Sequence, residues 1–297
     1  MLSVLIWACV NIVDKNFVSR NIGGAGVATL LSAAASLAVL VAVPFFEKIS
    51  FPSFFAVGVP VLGGVFWAGC VWFYYKALKV DEVSRVIPIF QLDPIFTAVL
   101  AAFFLGEVFS PGIYFGIVLL VAGAVLISLK KTGVQNGWKD ILSSLRFGPG
   151  FRFILASTLL VSANGLAVKL ALREMGFLSV FFWMRFGVVA ASAPFVFIRG
   201  GKFVEALRRH PRSFALVFVS NLAGAGASLA FTLATALTYL TLVSAIAAVQ
   251  PLFTLLLAAG LSFLLPSVIK ENIGKKTLAL KLFAILLIIL GSWIVAR

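Results

Sequence analysis

The chain has 297 residues, of which 62% are hydrophobic and 11% charged, and its mean hydropathy is +1.13. Soluble domains have about 25% charged residues, so this composition excludes a soluble globular protein and indicates an integral membrane protein. The formal net charge of +14 would suggest nucleic-acid binding in a soluble protein, but here Lys and Arg concentrate in loops, where they set membrane orientation.

The apolar segments are long and continuous. A spanning helix needs about 20 apolar residues, and segments without polar–apolar alternation exclude a transmembrane barrel. Ten spans are predicted. Spans 1 to 5 are expected at 2–18, 25–46, 53–75, 85–105 and 112–129, and spans 6 to 10 at 153–172, 177–198, 214–235, 240–264 and 278–296.

Two connecting segments have distinct patterns. The segment 130–152 is predicted to be a basic linker between the halves of the chain. Its apolar residues recur at helical spacing, which predicts a short amphipathic helix on the membrane surface: Trp138, Ile141, Leu142 and Leu145. A basic loop is predicted between spans 7 and 8, with Arg199, Lys202, Arg208, Arg209 and Arg212.

The two halves of the chain are related by an internal repeat. Aligning Asp93-Pro94 with Gln250-Pro251 without gaps brings several identical residues together, among them Gly69 with Gly226, Ala77 with Ala234, Phe96 with Phe253 and Thr97 with Thr254. Each unit has five spans, and because five is odd the second unit enters the membrane inverted, as in many secondary transporters. The expected fold is an all-α integral membrane protein with ten transmembrane helices in two inverted five-helix repeats, 1–129 and 153–297.

Asp93 is the clearest candidate for a functional residue. A charge in the middle of a bilayer costs at least about 2.5–3.5 kcal/mol, so it usually faces a cavity or a partner. We predict that Asp93 accepts a proton or contacts substrate; the alternative is a structural hydrogen bond to backbone groups freed by Pro94. Gln250 occupies the equivalent position in the second half and is uncharged. Pro94 is predicted to kink its helix, and with Pro251 to act as a hinge.

Three further candidates for substrate or proton binding are less clear. Lys15 and Lys169 are repeat mates near the ends of spans 1 and 6. They either snorkel to the membrane surface or contact an anionic substrate or Asp93. Trp72 is included as a candidate ligand contact, although aromatic residues in spans are more often packing residues or interfacial anchors.

Other polar residues lie within the spans or at their ends. Asn11, Asn164 and Asn221 are predicted either to join helices or to line the cavity. Arg185 in span 7 is expected to form a structural ion pair or to snorkel, rather than to contact substrate. Glu107 is expected at the surface, in a capping or loop role. No nucleotide-binding motif or metal-ligand cluster occurs in the sequence, so we expect no cofactor, no metal and no enzymatic activity.

Several short motifs together resemble a known family. They are Trp7 and Lys15 in span 1, Ala77-Leu78 and Arg85 leading to Asp93-Pro94-Ile95-Phe96-Thr97, and Leu105-Gly106-Glu107 followed by Gly116 and Gly123. This pattern, over essentially the whole chain, resembles the EamA family of the drug/metabolite transporter superfamily. The second half departs from the pattern, with Phe263-Leu264 in place of Gly-Glu and Val161 in place of the Trp.

The resemblance implies a central cavity lined by spans 1, 3, 4, 6, 8 and 9, alternating access, and transport, often export, of amino acids or other small metabolites. We therefore expect a secondary active transporter in the plasma membrane, monomeric and surrounded by lipid, with a small-molecule substrate, possible proton coupling and no nucleic-acid partner. The alternative is a lipid-handling or structural membrane protein that does not transport. Loop charges place both termini outside the cell, whereas the resemblance implies that both are cytoplasmic.

Overall fold

The architecture is that of a computed structural model, which describes residues 1–19, 24–81, 86, 89–128, 149–264 and 275–296. Within these helices the side chains of 14–19, 24, 128, 258, 259, 261–264 and 275–280 are not described. The amphipathic helix expected in the linker falls on residues 130–148, which also lie outside the described residues.

The described residues form eleven α-helices and no strand. In the first half these are α1 (Leu2–Ser19), α2 (Gly24–Ala42), α3 (Phe54–Val80), α4 (Asp93–Leu105) and α5 (Pro111–Ser128). In the second half they are α6 (Phe151–Ala171), α7 (Phe177–Arg209), α8 (Pro211–Leu237), α9 (Leu240–Ala247), α10 (Gln250–Leu264) and α11 (Lys275–Val295).

Among the described residues, six stretches are long and apolar enough to cross a membrane: Ala25–Phe45, Phe54–Val80, Phe151–Ala171, Phe177–Arg209, Pro211–Leu237 and Leu240–Leu257. Four more described helices are apolar but shorter: Leu2–Val13, Asp93–Leu105, Pro111–Ile127 and Lys281–Val295. Large apolar side chains point outward along these helices, as lipid contact requires; Phe103 and Phe197 are 83% and 91% exposed. The chain is therefore a multi-pass helical membrane protein, as predicted, and the arrangement as two inverted repeats remains a prediction.

Helices of the first half pack mainly on helices of the second half. The helix α3 lies along α6, and α1 lies along α8. The pairs α2–α7 and α5–α11 add two further contacts between the halves. The core is consequently shared: one cluster combines Ile117 and Leu120 of α5 with Ala245 of α9 and Ile288 of α11.

Glycines allow two helix pairs, α3–α7 and α5–α11, to touch backbone to backbone. A Cβ atom added at Gly64 of α3 would collide with the carbonyl oxygen of Met184, and one added at Gly187 of α7 would collide with the carbonyl oxygen of Val61. A Cβ at Gly291 of α11 would lie 2.7 Å from the carbonyl oxygen of Gly116 in α5. Small residues at such crossings favour close helix association in membranes.

The prediction of a basic loop between spans 7 and 8 is wrong. The helix α7 continues through this segment to Arg209, and His210 alone separates it from α8. The segment has an apolar face that the charges conceal: Ala206 is buried, and the rings of Phe203 and Phe214 pack edge to face with their centroids 4.8 Å apart. The basic side chains of the same helix segment are exposed, and Arg209 pairs with Glu205 at 2.8 Å.

Candidate functional site

A cavity of about 240 Å³ lies between the two halves of the chain. Its wall contains residues from α1, α2, α3 and α4 of the first half and from α6, α7, α8, α9 and α10 of the second. The sequence resemblance implied spans 1, 3, 4, 6, 8 and 9; the structure adds span 2 through Ser32 and span 7 through Met184 and Arg185.

Two helix breaks border this cavity. Span 4 contains a turn at Gln91 and Leu92, and α4 begins at Asp93 with Pro94 in its first turn. Span 9 divides into α9 and α10, and Pro251 is the second residue of α10. Proline fits the first turn of a helix because its missing N–H group would have no partner inside the helix. The kink predicted at Pro94 is therefore a full interruption followed by a new helix.

Asp93 lies on the cavity wall, and its carboxylate is held by three hydroxyl groups. Ser162 of α6 donates to Oδ1 at 2.6 Å, Thr97 of α4 donates to Oδ1 at 3.2 Å, and Ser244 of α9 donates to Oδ2 at 3.0 Å. Two donors come from the second half of the chain, so the carboxylate joins the halves. The partners are hydroxyl groups rather than the backbone groups of the structural alternative.

The three asparagines that were predicted either to join helices or to line the cavity all border the cavity. Asn164 serves both roles, because its Nδ2 also donates to the carbonyl oxygen of Gly63 at 2.9 Å and thereby joins α6 to α3. Asn221 donates to the carbonyl oxygen of Val217 in its own helix at 2.9 Å. Gln250 and Asn11 complete the predicted residues that the structure brings to the cavity.

Two other predicted site residues, Lys169 and Trp72, do not line the described cavity. The Nζ of Lys169 donates to the carbonyl oxygens of Thr235 and Thr238, at 2.7 and 2.6 Å, and so caps the end of α8. The ring of Trp72 lies under the Nζ of Lys76, 3.6 Å from its centroid, and does not line the described cavity. Lys15 belongs to α1, but its side chain lies outside the described residues.

Glu107 is buried, contrary to the expectation that it lies at the surface. Its side chain is 5% exposed, and its two carboxylate oxygens accept hydrogen bonds from the backbone N–H groups of Leu240 and Thr241, each at 2.9 Å. The capping role is correct, but the capped helix is α9 of the second half. Gly106, with a φ of 71°, turns the chain so that Glu107 leaves α4 toward this helix end.

Arg185 also differs from its expectation. It is 3% exposed and lines the cavity, so it does not snorkel to the membrane surface. Its guanidinium carbon lies 4.8 Å from the centroid of the Phe181 ring. Its Nε and Nη2 atoms are buried and have no hydrogen-bond partner among the residues that the structure describes. The predicted ion pair is therefore absent from that part of the chain.

Sequence reasoning missed several wall residues. Thr97 could have been found, because it is four residues from Asp93 and therefore on the same helix face. Ser162 and Ser244 could not, because serine is common in membrane helices and neither residue is near Asp93 in sequence. The wall also has four aromatic rings from α1 and α3 that the sequence did not distinguish from packing residues: Trp7, Trp67, Tyr74 and Tyr75.

Comparison with known proteins supports a transporter. Residues 1–129 match the EamA-like transporter family. Among 29 matching chains of solved structures, one crystal structure aligns with 99% of this chain and 98% of its own length, at a TM-score of 0.64 and 17% sequence identity. That likeness concerns the fold alone, and no curated protein matches the chain. The match covers the first half of the chain, where the sequence motifs that resemble this family lie.

Proposed function

We propose that the protein is a secondary active transporter that exports small polar metabolites, such as amino acids, across the plasma membrane. In this proposal ten spans form two inverted repeats, and substrate binds in the cavity between them while the protein alternates between two openings. A single copy of the chain contains the whole cavity, which supports a monomer. The packing of α3 on α6 and of α1 on α8 supports the repeat, because spans 3 and 6 are the repeat mates of spans 8 and 1.

The observation that carries the proposal is the position of Asp93. A carboxylate among membrane spans is costly, and this one lies on a cavity wall where its described partners are neutral hydroxyl groups. A salt bridge would hold the group in its charged form. Hydroxyl groups impose no such restriction, because each can donate a hydrogen bond or accept one.

Ser162 has the geometry to serve both states of Asp93. Its Oγ is 2.6 Å from Asp93 Oδ1 and also 3.0 Å from the carbonyl oxygen of Thr158. When Asp93 is ionised, Ser162 donates to the carboxylate. When Asp93 is protonated, it can donate to Ser162 Oγ while the serine proton turns toward Thr158. Proton uptake and release at this site then require a hydroxyl rotation and no movement of the backbone.

The test is flux through proteoliposomes. A thermal-shift screen of the purified protein against amino acids, amines, sugars and nucleobases first selects a radiolabelled probe. Accumulation of that probe is then measured with and without an imposed pH gradient. We expect the gradient to drive accumulation in the wild type and Asp93→Asn to abolish this dependence.

The matched control is Glu205→Gln, which makes the same chemical change at an exposed residue near the end of α7. Gradient-driven accumulation that survives in Asp93→Asn would contradict the proton role. Absence of flux for every probe would contradict transport itself. Movement of labelled lipid between the leaflets of the same vesicles would instead support the lipid-handling alternative.

A further inference from the structure

A buried cation with unused hydrogen-bond donors borders the cavity. Arg185 is 3% exposed, and its Nε and Nη2 find no acceptor among the described residues. A charged group removed from water without compensating hydrogen bonds costs several kcal/mol. The ring of Phe181, 4.8 Å from the guanidinium carbon, offers a cation–π contact but accepts neither of these two N–H groups in a conventional hydrogen bond.

The acidic residues near the cavity do not supply the missing partner. The carboxylate of Asp93 is bonded by Thr97, Ser162 and Ser244. The carboxylate of Glu107 is occupied by two backbone N–H groups at the start of α9. Both carboxylates are thus engaged elsewhere, and no residue whose side chain the structure describes pairs with the Nε or Nη2 atom of Arg185.

The two unpaired atoms indicate the chemistry of that partner. The Nε–H and Nη2–H groups lie on the same edge of the guanidinium plane and form a two-pronged donor. This edge matches the two oxygens of a carboxylate, and such paired contacts are among the strongest and most directional hydrogen bonds in proteins. One guanidinium also balances the single charge of a carboxylate better than the higher charge of a phosphate.

We propose that the donor edge of Arg185, which is buried in this structure, turns into the cavity and binds the carboxylate of the transported molecule, so that the cavity selects small organic acids over their uncharged derivatives. This inference rests on the transport proposal for the identity of the cavity as the substrate site. In this arrangement Arg185 and Asp93 have different roles. Arg185 recognises the anionic group of the substrate, and Asp93 takes up and releases the proton.

The experiment compares acids with their amides in equilibrium binding. Full-length protein in lipid nanodiscs is titrated with L-alanine, L-leucine and L-phenylalanine, and with the carboxamide of each. A third arm uses the phosphonate analogue of alanine. We expect at least one acid to bind about tenfold or more tightly than its amide, as one strong charged contact provides.

The same titrations on three variants locate the effect. Arg185→Gln is expected to remove the preference for the acid, and Arg185→Lys to retain part of it because the charge remains without the paired donors. Arg209→Gln, at the exposed end of the same helix, is expected to leave the preference unchanged. If Arg185→Gln does not fold, the wild type and Arg185→Lys still decide, because the comparison of acid with amide is made within each protein.

Three results would overturn the proposal: no acid preferred over its amide in the wild type, a preference that Arg185→Gln keeps in full, or binding of the phosphonate alone. Because binding needs no gradient, its outcome is separate from that of the flux assay. Gradient-driven flux without acid preference would overturn the role of Arg185 and leave transport standing. Acid preference without flux would support Arg185 and overturn the transport proposal.

Discussion

The two proline junctions, at Asp93-Pro94 and Gln250-Pro251, share a backbone plan and differ in their side chains. In both, a helix stops beside the cavity and a new helix starts with proline in its first turn. The repeat-related threonines show the difference. Thr97 donates to the side chain of Asp93 at 3.2 Å, whereas Thr254 donates to the backbone oxygen of Gln250 at 3.1 Å. The interruption therefore occurs in both halves of the chain, whereas the hydrogen-bonded acid at the junction occurs in the first half alone.

The second junction depends on a residue from the first half. Glu107→Ala would leave the buried N–H groups of Leu240 and Thr241 without their acceptor, and α9 has only eight residues. We expect the free energy of unfolding to fall by about 3 kcal/mol or more, since each unpaired buried group costs about 1–3 kcal/mol. Denaturant titration in mixed micelles of detergent and lipid measures this loss. Glu205→Ala, at an exposed ion pair, is the control, and an equally small effect for both variants would contradict the cap.

Gln250→Glu tests whether the second junction tolerates the charge of the first. Among the described residues no serine bonds the Gln250 side chain as Ser162 and Ser244 bond Asp93, so we expect an ionised carboxylate there to lack this support. We expect a loss of about 2.5–3.5 kcal/mol in the free energy of unfolding above neutral pH. Gln250→Leu should be milder because it introduces no charge. Equal stability of Gln250→Glu and the wild type would remove the asymmetry between the junctions.

Ser162→Ala reduces the support at the first junction. Asp93 loses its shortest hydrogen bond, 2.6 Å, and we expect the protein to lose about 1–2 kcal/mol of stability. Gradient-driven flux should also fall, because the hydroxyl rotation that serves both states of Asp93 is gone. Ser192→Ala is the control: that serine is buried, and its one hydrogen bond among the described residues goes to the Val188 carbonyl oxygen of its own helix, at 2.7 Å. Unchanged flux in Ser162→Ala would contradict the proposed role of the hydroxyl group.

Pro94→Ala and Pro251→Ala should have the smallest effect on stability. Each proline occupies a first helical turn, where an additional N–H group gains no partner inside the helix, so we expect changes below about 1 kcal/mol. If the prolines act as hinges, transport turnover falls in both variants although stability is preserved. Unfolding titrations and flux assays on the same preparations separate the two properties. A stability loss well above that range with normal turnover would make the prolines structural elements rather than hinges.

The membrane class and most helix positions could be predicted, because runs of about 20 apolar residues leave few alternatives. The end of α7 could not. In a hydropathy average over this segment, the five basic residues outweigh the three apolar residues that pack against the protein, Phe203, Ala206 and Phe214. The predicted span therefore ends at 198, whereas the helix in the structure continues to Arg209.

A site residue could be predicted only where that residue alone is unusual for its position in the sequence. A charge within an apolar span identifies Asp93 by its cost alone. Glu107 was misplaced because its partners, Leu240 and Thr241, are more than a hundred residues away along the chain. Lys169 has the charge expected of a substrate contact, but its position near the end of α6 places it against the last carbonyl groups of α8, a contact that depends on how the two helices lie.

The glycine crossing of α3 and α7 has a mechanical consequence. At Gly64 and Gly187 the two backbones meet with no side chain between them. Most helix interfaces can slide by small amounts because interposed side chains change rotamer, and this crossing has none to change. We therefore expect α3 and α7 to move together as one rigid unit. Because the same pair carries Trp67, Tyr74 and Arg185, we expect those three groups to keep their mutual spacing during the cavity movements of the proposed transport cycle.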